Sequence, residues 1–317
     1  MMNSPKYSIV APVYNESESL PEFYRRISEV IGRLDGDVEL ILVDDGSSDG
    51  SLALMCDLQD RDSSVRVLSF SRNFGHQVAI TAGIDFARGD AVIVTDADLQ
   101  DPPEVIPDLV AEWQRGAQIV LAVRSGRTGE SWFKRVSAAL FYRLIDRLTD
   151  LQIPKDSGDF RLMDRKVVDA LCKVREHHRF MRGLSVWVGF KRTEVQYVRQ
   201  ARFAGRSKYP LRSMLRFATD GITSFSHVPL QLAMTLGFVF AGIAILGVPA
   251  IVALRFSGGR EFFGQATTLV SVLLLGGVQL ICLGIVGEYL GRIYNEVKRR
   301  PLYLISGKWG FEADQDD

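Results

Sequence analysis

The chain has 317 residues with 38 basic and 38 acidic side chains, so its formal charge is zero and the total calls for no nucleic acid or other polyanionic partner. Hydrophobic residues make up 47% and charged residues 24%, ordinary for a globular protein and enough for one large domain plus an appendage. Cys56, Cys172 and Cys282 lie far apart, with no metal spacing and no disulfide framework, which fits a reducing compartment.

The N-terminal MMNSPKYSIVAP has no basic region followed by a long apolar run, so no signal peptide is expected. Strand candidates and helical patterns then alternate. YSIVAPVY (7–14) reads as a strand and residues 17–34 as an amphipathic helix. VELILVDD (38–45), VRVLSFS (65–71), AVIVTDAD (91–98) and QIVLAVR (118–124) read as further strands. Helices are expected near 50–59 and 76–88, and one opens at PPEVIPDL. This alternation, with continuous apolar strands, predicts a parallel sheet covered on both faces. Ligands of such sheets bind at the carboxyl ends of the strands. Asn15 and Glu16, Asp44 and Asp45, and Asp96 and Asp98 all fall at those ends. No GxGxxG or GxxxxGK[ST] loop follows the first strand, which argues against a dinucleotide dehydrogenase and a P-loop NTPase.

Further along, SWFKRVSAALFYRLIDRLTD (131–150) and PLRSMLRFATDGITSF (210–225) mix apolar positions with basic ones. They read as interfacial helices or, for the first, as a core-facing helix. Between Arg175 and Arg216 eleven Lys or Arg face two acids, a local excess suited to phosphates or anionic lipid heads, or simply to solvent. Val228–Leu254 and Phe262–Gly287 contain no charged residue, and about 20 apolar residues suffice to cross a bilayer as helix. The connection Arg255–Glu261 is too short for a domain, so the two spans form a hairpin. Lys208, Arg212 and Arg216 before it, and Arg292, Lys298, Arg299 and Arg300 after it, put the N-terminal domain and the tail in the cytoplasm. Gly276, Gly277, Gly284, Gly287 and Gly291 would let helices pack closely, between subunits among other places.

TDADLQDPP (95–103) carries the sharpest chemistry. Carboxylates as close as Asp96 and Asp98 repel one another unless a cation sits beside them. A hard ion such as Mg²⁺ or Mn²⁺ would take its other ligands from water and diphosphate oxygens. Gln100 offers another oxygen, and Asp101 reads as a helix cap. Asp44 and Asp45 before Gly46 also suit a type I turn.

PVYNE (12–16), ILVDDGSSDGS (41–51), SRNFGHQVAITAG (71–83) and TDADLQDPPE (95–104) resemble the motifs of glycosyltransferase family 2, with its GT-A fold. SGDFRLMDRK (157–166) and GRSKYPLRSM (205–214) resemble the branch acting on polyprenyl phosphates, which includes dolichyl-phosphate mannose synthases and bacterial GtrB-type bactoprenol glucosyltransferases. The resemblance covers essentially the whole chain. It implies an α/β, Rossmann-like, mainly parallel GT-A domain with a C-terminal two-helix transmembrane hairpin. Pro12, Tyr14, Asn15 and Glu16 would then line the base and ribose of a nucleotide-sugar, and Asp45 would bond base or ribose. Asp96 and Asp98 would face the donor diphosphate and a Mg²⁺ or Mn²⁺ ion, with Gln100 as supporting ligand. Arg72 reaches a phosphate or is merely an exposed arginine near a turn.

Asp159 matches the family's active-site acid. A lipid phosphate is already anionic at neutral pH, with a second pKa of about 6, and needs no general base. Asp159 is therefore expected to position the sugar or Arg161, unless the two are simply a buried ion pair. Arg124, Arg127, Lys134, Arg161, Arg202, Arg206, Ser207 and Lys208 are the candidates for the acceptor's phosphate, with a general headgroup patch as the other reading of the last three.

The chain is thus expected to comprise a cytoplasmic GT-A domain over 1–209, a juxtamembrane interfacial helix over 210–227, two spans within 228–290 (about 228–254 and 263–287) and a cytoplasmic tail over 291–317. The implied reaction is inverting, metal-dependent transfer of glucose from UDP-glucose to undecaprenyl phosphate at the inner membrane. GDP-mannose or a modified UDP-sugar such as UDP-4-formamido-arabinose are alternative donors. A processive polysaccharide synthase is disfavoured, because the chain shows no QxxRW motif and few spans. A non-catalytic lipid-binding or flippase subunit is the alternative of another class. A homo-oligomer is implied, a tetramer among the options, with residues 299–311 as a subunit contact.

Overall fold

The computed structural model describes residues 5–125, 157–200, 223, 226–256 and 265–311. They fall into two compact units, one formed by Met1–Gly221 with Pro301–Asp317 and the other by Ile222–Arg300.

The first unit is built on an eight-stranded sheet of order β7-β5-β6-β4-β1-β2-β3-β8. Its central strands are β1 (Tyr7–Val13), β2 (Val38–Asp44), β3 (Val65–Phe70) and β4 (Ala91–Val94). Their apolar runs are buried on both faces, as parallel strands under helices require. β1 pairs in parallel with β2 on one side and β4 on the other, so the winding reverses between β1 and β4 and opens a crevice at their carboxyl ends. The outer half holds β5 (Ile119–Arg124), β6 (Ser157–Asp164) and β7 (Arg192–Tyr197). β6 runs antiparallel to both β4 and β5, and β5 pairs in parallel with β7.

Among the described residues this unit also holds helices α1 (Leu20–Ile31), α2 (Ser51–Arg61), α3 (His76–Phe86), α4 (Ile106–Gln114), α5 (Arg165–Lys173) and α6 (Met181–Trp187). α1 buries Leu20, Phe23, Ile27 and Val30, one stripe of an amphipathic helix. α3 lies close on β1 because it carries Gly83, where a Cβ would come within 2.1 Å of Val10 Cγ1.

The outcome differs from the sequence expectations at several boundaries. β4 ends at Val94 rather than residue 98, because the chain turns sharply after it. Leu99 sits at φ +60° and Asp98 Oδ1 accepts the Gln100 N–H at 3.0 Å, so the DAD segment is a loop. Within the tail expected over 291–317, β8 (Ile305–Trp309) pairs antiparallel with β3 at that edge of the sheet.

In the second unit, α7 (Val228–Phe256) and α8 (Gln265–Val297) are long and apolar enough to cross a membrane, within Val228–Gly247 and Ser271–Val297. No residue of these two stretches is buried, and Phe238 and Leu246 are 71% and 76% exposed. Water does not tolerate apolar surface on that scale, whereas lipid does. Cys282 Sγ lies 3.7 Å from Ala233 O and Tyr289 donates to Ser226 O at 2.6 Å. A Cβ at Gly276, Gly277, Gly284, Gly287 or Gly291 meets nothing within 4 Å, so these glycines make no close approach to α7. The expected interfacial segments 131–150 and 210–225 fall almost wholly outside the described residues.

Candidate active site

The crevice between β1 and β4 is a cavity of about 560 Å³. Its wall brings together Pro12, Tyr14 and Glu16 after β1, Asp45 after β2, Asp96, Asp98 and Gln100 after β4, Arg124 at the end of β5 and Asp159 on β6. Thus the strand-end acids, scattered through the sequence, share one site. Asn73, Gly75, His76, Arg182 and Arg199 also line it; the sequence placed Arg182 and Arg199 only within a basic stretch and gave the other three no role.

Asp159 is the most tightly held. It is 5% exposed, and Arg182 from α6 grips it bidentately, Nε to Oδ1 at 3.1 Å and Nη2 to Oδ2 at 3.0 Å. Gln77 Nε2 donates to Oδ2 at 3.2 Å while Gln77 Oε1 accepts the Met181 N–H at 2.9 Å, tying α3, α6 and β6 together. Burial would raise this carboxyl, but Arg182 and His76 outweigh it and hold it well below the usual carboxylate range.

Arg161, expected at an acceptor phosphate, instead lies behind the wall. It is 2% exposed and donates to Asp159 O, Met181 O, Ser185 Oγ and Gly158 O. Its guanidinium stands 3.8 Å from the Asp159 carboxylate, and burial pulls its pKa down to about 10. The side chain that aligns with Asp159 is therefore Arg182, with Arg161 as a buried backbone clamp.

His76 Nε2 stands 3.4 Å from Asp96 Oδ1 and 3.5 Å from Asp159 Oδ2. Burial alone would lower its pKa, but these two carboxylates raise it to about 9. Asp96 is pushed up to about 6 by burial and by its acidic neighbours, against the attraction of His76. Its Oδ1 is buried and accepts no hydrogen bond. A carboxylate in that condition fits a cation ligand, and Asp98 stands two residues on. Among the described residues no group of three or more His, Cys, Asp or Glu side chains is placed to hold a metal ion by itself. A cation would therefore take few ligands from the chain and the rest from water and phosphate oxygens, the habit of Mg²⁺ and Mn²⁺. Gln100 Oε1 accepts from Arg199.

Asp101 is not a helix cap. It is fully buried, accepts from Tyr197 Oη, and has Arg124 and Arg199 at 3.6 and 3.8 Å. Two guanidiniums are thus anchored at the mouth by one buried acid. Asp45 accepts from the Phe74 and Gly75 N–H groups, at 2.7 and 3.0 Å for the closest contacts, and so shapes the loop between β3 and α3. Asp44 accepts from the Ser47 N–H at 2.9 Å and Ser69 Oγ at 2.9 Å, a structural turn.

Asn15 faces the neighbouring loop: its φ is +54°, its N–H donates to Ser47 Oγ and its Oδ1 accepts from Ser48 N. Arg72 lies over the Phe74 ring at 4.0 Å and is not on the cavity wall. Arg127, Lys134, Arg202, Arg206, Ser207 and Lys208 lie outside the described residues.

The mainly parallel sheet and the acidic, guanidinium-fringed crevice at its carboxyl edge define a glycosyltransferase with the GT-A fold. Glycosyl transferase family 2 matches residues 8–172, and the chain belongs to that family. It is 48% identical over 307 residues to the uncharacterized glycosyltransferase YkcC of Bacillus subtilis (strain 168), covering 97% of this chain and 95% of that one. It is 44% identical over 300 residues to the bactoprenol glucosyl transferase of Shigella phage SfII, covering 95% and 97%. Among solved structures, glucosyl-3-phosphoglycerate synthase from Mycobacterium tuberculosis in complex with UDP aligns with a TM-score of 0.46, at 21% identity over 69% of this chain and 78% of that one.

Proposed function

We propose that the enzyme transfers glucose from UDP-glucose to undecaprenyl phosphate on the cytoplasmic face of the plasma membrane. The observation that carries this reading is the identity, along nearly the full length of both chains, with the bactoprenol glucosyl transferase of Shigella phage SfII. The two apolar helices fit an acceptor confined to lipid. In the proposed reaction an acceptor phosphate oxygen attacks C1 of glucose, the bond from C1 to the β-phosphate oxygen breaks, and UDP leaves with inversion. A bound Mg²⁺ or Mn²⁺ would supply charge neutralisation at the diphosphate. Asp96 and Asp98 would hold it, with Gln100 in support. Pro12, Tyr14, Glu16 and Asp45 would bind the nucleoside. Arg124, with Arg182 and Arg199, would meet phosphate, and Asp159 would orient Arg182 and the sugar.

The connection between the two apolar helices is short, so we place them as a hairpin with the catalytic domain and the tail on one side of the membrane. Arg292, Lys298, Arg299 and Arg300 favour the cytoplasmic side. We include in the proposal a homo-oligomer.

The test is transfer of radiolabel into the organic phase by purified protein with undecaprenyl phosphate, Mn²⁺ or Mg²⁺ and a panel of nucleotide-sugars. Label from UDP-glucose alone supports the reading. Label from GDP-mannose or a modified UDP-sugar instead reassigns the donor, and no label from any donor with folded protein refutes the reaction.

A further inference from the structure

The loop 71–75 forms part of the cavity wall through Asn73 and Gly75, and His76 follows it at the start of α3. Asp45 braces this loop from inside the site by accepting the Phe74 and Gly75 N–H groups. The chain that leaves the second membrane helix grips the same loop from outside. The Ser71 N–H donates to Leu304 O at 2.9 Å, continuing the β8 to β3 ladder up to the loop's first residue. The Tyr303 ring stacks on Phe70, with centroids 5.3 Å apart and planes 16° from parallel. Phe70 in turn meets the Phe74 ring edge-on at 5.6 Å. Two aromatic contacts therefore lead from Tyr303 to the residue whose N–H holds Asp45.

The far end of α3 is gripped as well. Tyr303 Oη donates to Asp85 Oδ2 at 2.8 Å, beside Arg175 Nη1 at 2.6 Å from the same oxygen. Phe311 packs edge-on against Phe86, centroids 5.3 Å apart. The tail thus touches the end of β3, which leads into the loop, and the far end of α3, the helix that leads out of it. An edge cover alone needs only the ladder of residues 305–309. Tyr303 lies before that ladder, and its ring is turned onto Phe70, one residue before the loop.

We infer that Tyr303 is a positioning residue for the donor: it fixes the loop 71–75 against the nucleotide-sugar and so makes the tail behind the second membrane helix part of the donor site. This rests on the reading of the cavity as a nucleotide-sugar site. The contact is made equally in ground and transition states, so its loss should raise KM for the donor and spare kcat.

The experiment compares Tyr303→Ala and Tyr303→Phe with the full-length enzyme in detergent, measuring kcat, KM for UDP-glucose, KM for undecaprenyl phosphate, and UDP binding by calorimetry. Tyr303→Ala should raise donor KM and UDP Kd about tenfold, leaving kcat and lipid KM within about twofold. Tyr303→Phe keeps the ring stack and loses only the bond to Asp85, so its effect should stay within about threefold. If Tyr303→Ala does not fold, Tyr303→Leu keeps the bulk, removes the stack and serves the same comparison. Unchanged donor KM, or a fall in kcat with both KM values unchanged, overturns the inference, since that is what a smaller folded fraction gives. A wild type that binds neither UDP nor UDP-glucose overturns the donor reading and the inference with it. Tight wild-type binding left untouched by the variants overturns the inference alone.

Discussion

The role of Asp159 can be separated by one isosteric change, Asp159→Asn. Its carboxylate accepts from Arg182 twice and from Gln77 once, with His76 at 3.5 Å, so its lone pairs are occupied by the protein. It is also held well below the ordinary carboxylate range, against the pull of burial, by Arg182 and His76. A carboxylate that acidic is a weak proton acceptor near neutral pH. A phosphate acceptor, with a second pKa of about 6, gives it no proton that must be removed. The asparagine keeps one acceptor oxygen for Arg182 and loses one charge-assisted hydrogen bond, worth about 1.5–3 kcal/mol. At about 1.4 kcal/mol per decade, kcat should fall about 10- to 100-fold, with UDP affinity nearly unchanged. The assay is label transfer to undecaprenyl phosphate at saturating donor, repeated from pH 6 to 9, with UDP binding measured in parallel. A positioning role leaves the variant's pH profile parallel to that of the wild type. A loss beyond about 10⁴-fold at unchanged UDP affinity, or loss of an acid limb from the profile, would refute it and make Asp159 a general base.

Chelation of divalent cations should abolish transfer, Mn²⁺ or Mg²⁺ should restore it, and Asp98→Asn should raise the metal concentration for half-maximal rate at least tenfold, read from metal titrations of the initial rate. Gly83→Ala, normally mildly stabilising inside a helix, should here destabilise the catalytic unit by about 1–3 kcal/mol, because its Cβ would fall 2.1 Å from Val10 Cγ1; a Tm equal to or above wild type would contradict that packing. Burial, with Asp85 nearby, pushes the Cys172 thiol up to about 11. At pH 8 its thiolate fraction is then about 10⁻³, and alkylation by iodoacetamide should run at least about 100-fold slower than for a free thiol of pKa about 8.5.

What the sequence made legible follows from how local each signal is. The four central strands announce themselves as continuous apolar runs, and their strand-end acids sit in the same short segments. β7 and β8 give no such run. RTEVQY alternates exposed and covered positions at one edge of the sheet, and ISGKW does the same at the other. Such strands are specified by the neighbour they join. Within the expected tail, Ile305–Trp309 thus joins the chain's own sheet without any apolar run to announce it. The site divides in the same way. Asp96 and Asp98 are two residues apart and legible, while Gln77 meets Asp159 across 82 positions and Arg182 meets it across 23. The basic excess from Arg175 to Arg216 was visible and contains both Arg182 and Arg199. Which of its members turn inward depends on where α6 and the end of β7 dock. The same dependence explains the exchange of roles between Arg161, which strand alternation could equally point into the site, and Arg182.

The charge arrangement of the wall bears on why a cation belongs there at all. Asp159 is neutralised by Arg182, and the positive charges of Arg124 and Arg199 are shared with buried Asp101. Glu16, Asp45, Asp96 and Asp98 also line the cavity, with His76 3.4 Å from Asp96. These acids oppose an incoming diphosphate, and burial with the acidic neighbours pushes Asp96 up to about 6. Asp96 and Asp98 would hold a divalent ion there, and it would supply positive charge for the incoming phosphates. The arginines at the mouth, held in place by Asp101 yet still 26% and 38% exposed, then remain available to a second phosphate arriving from the lipid.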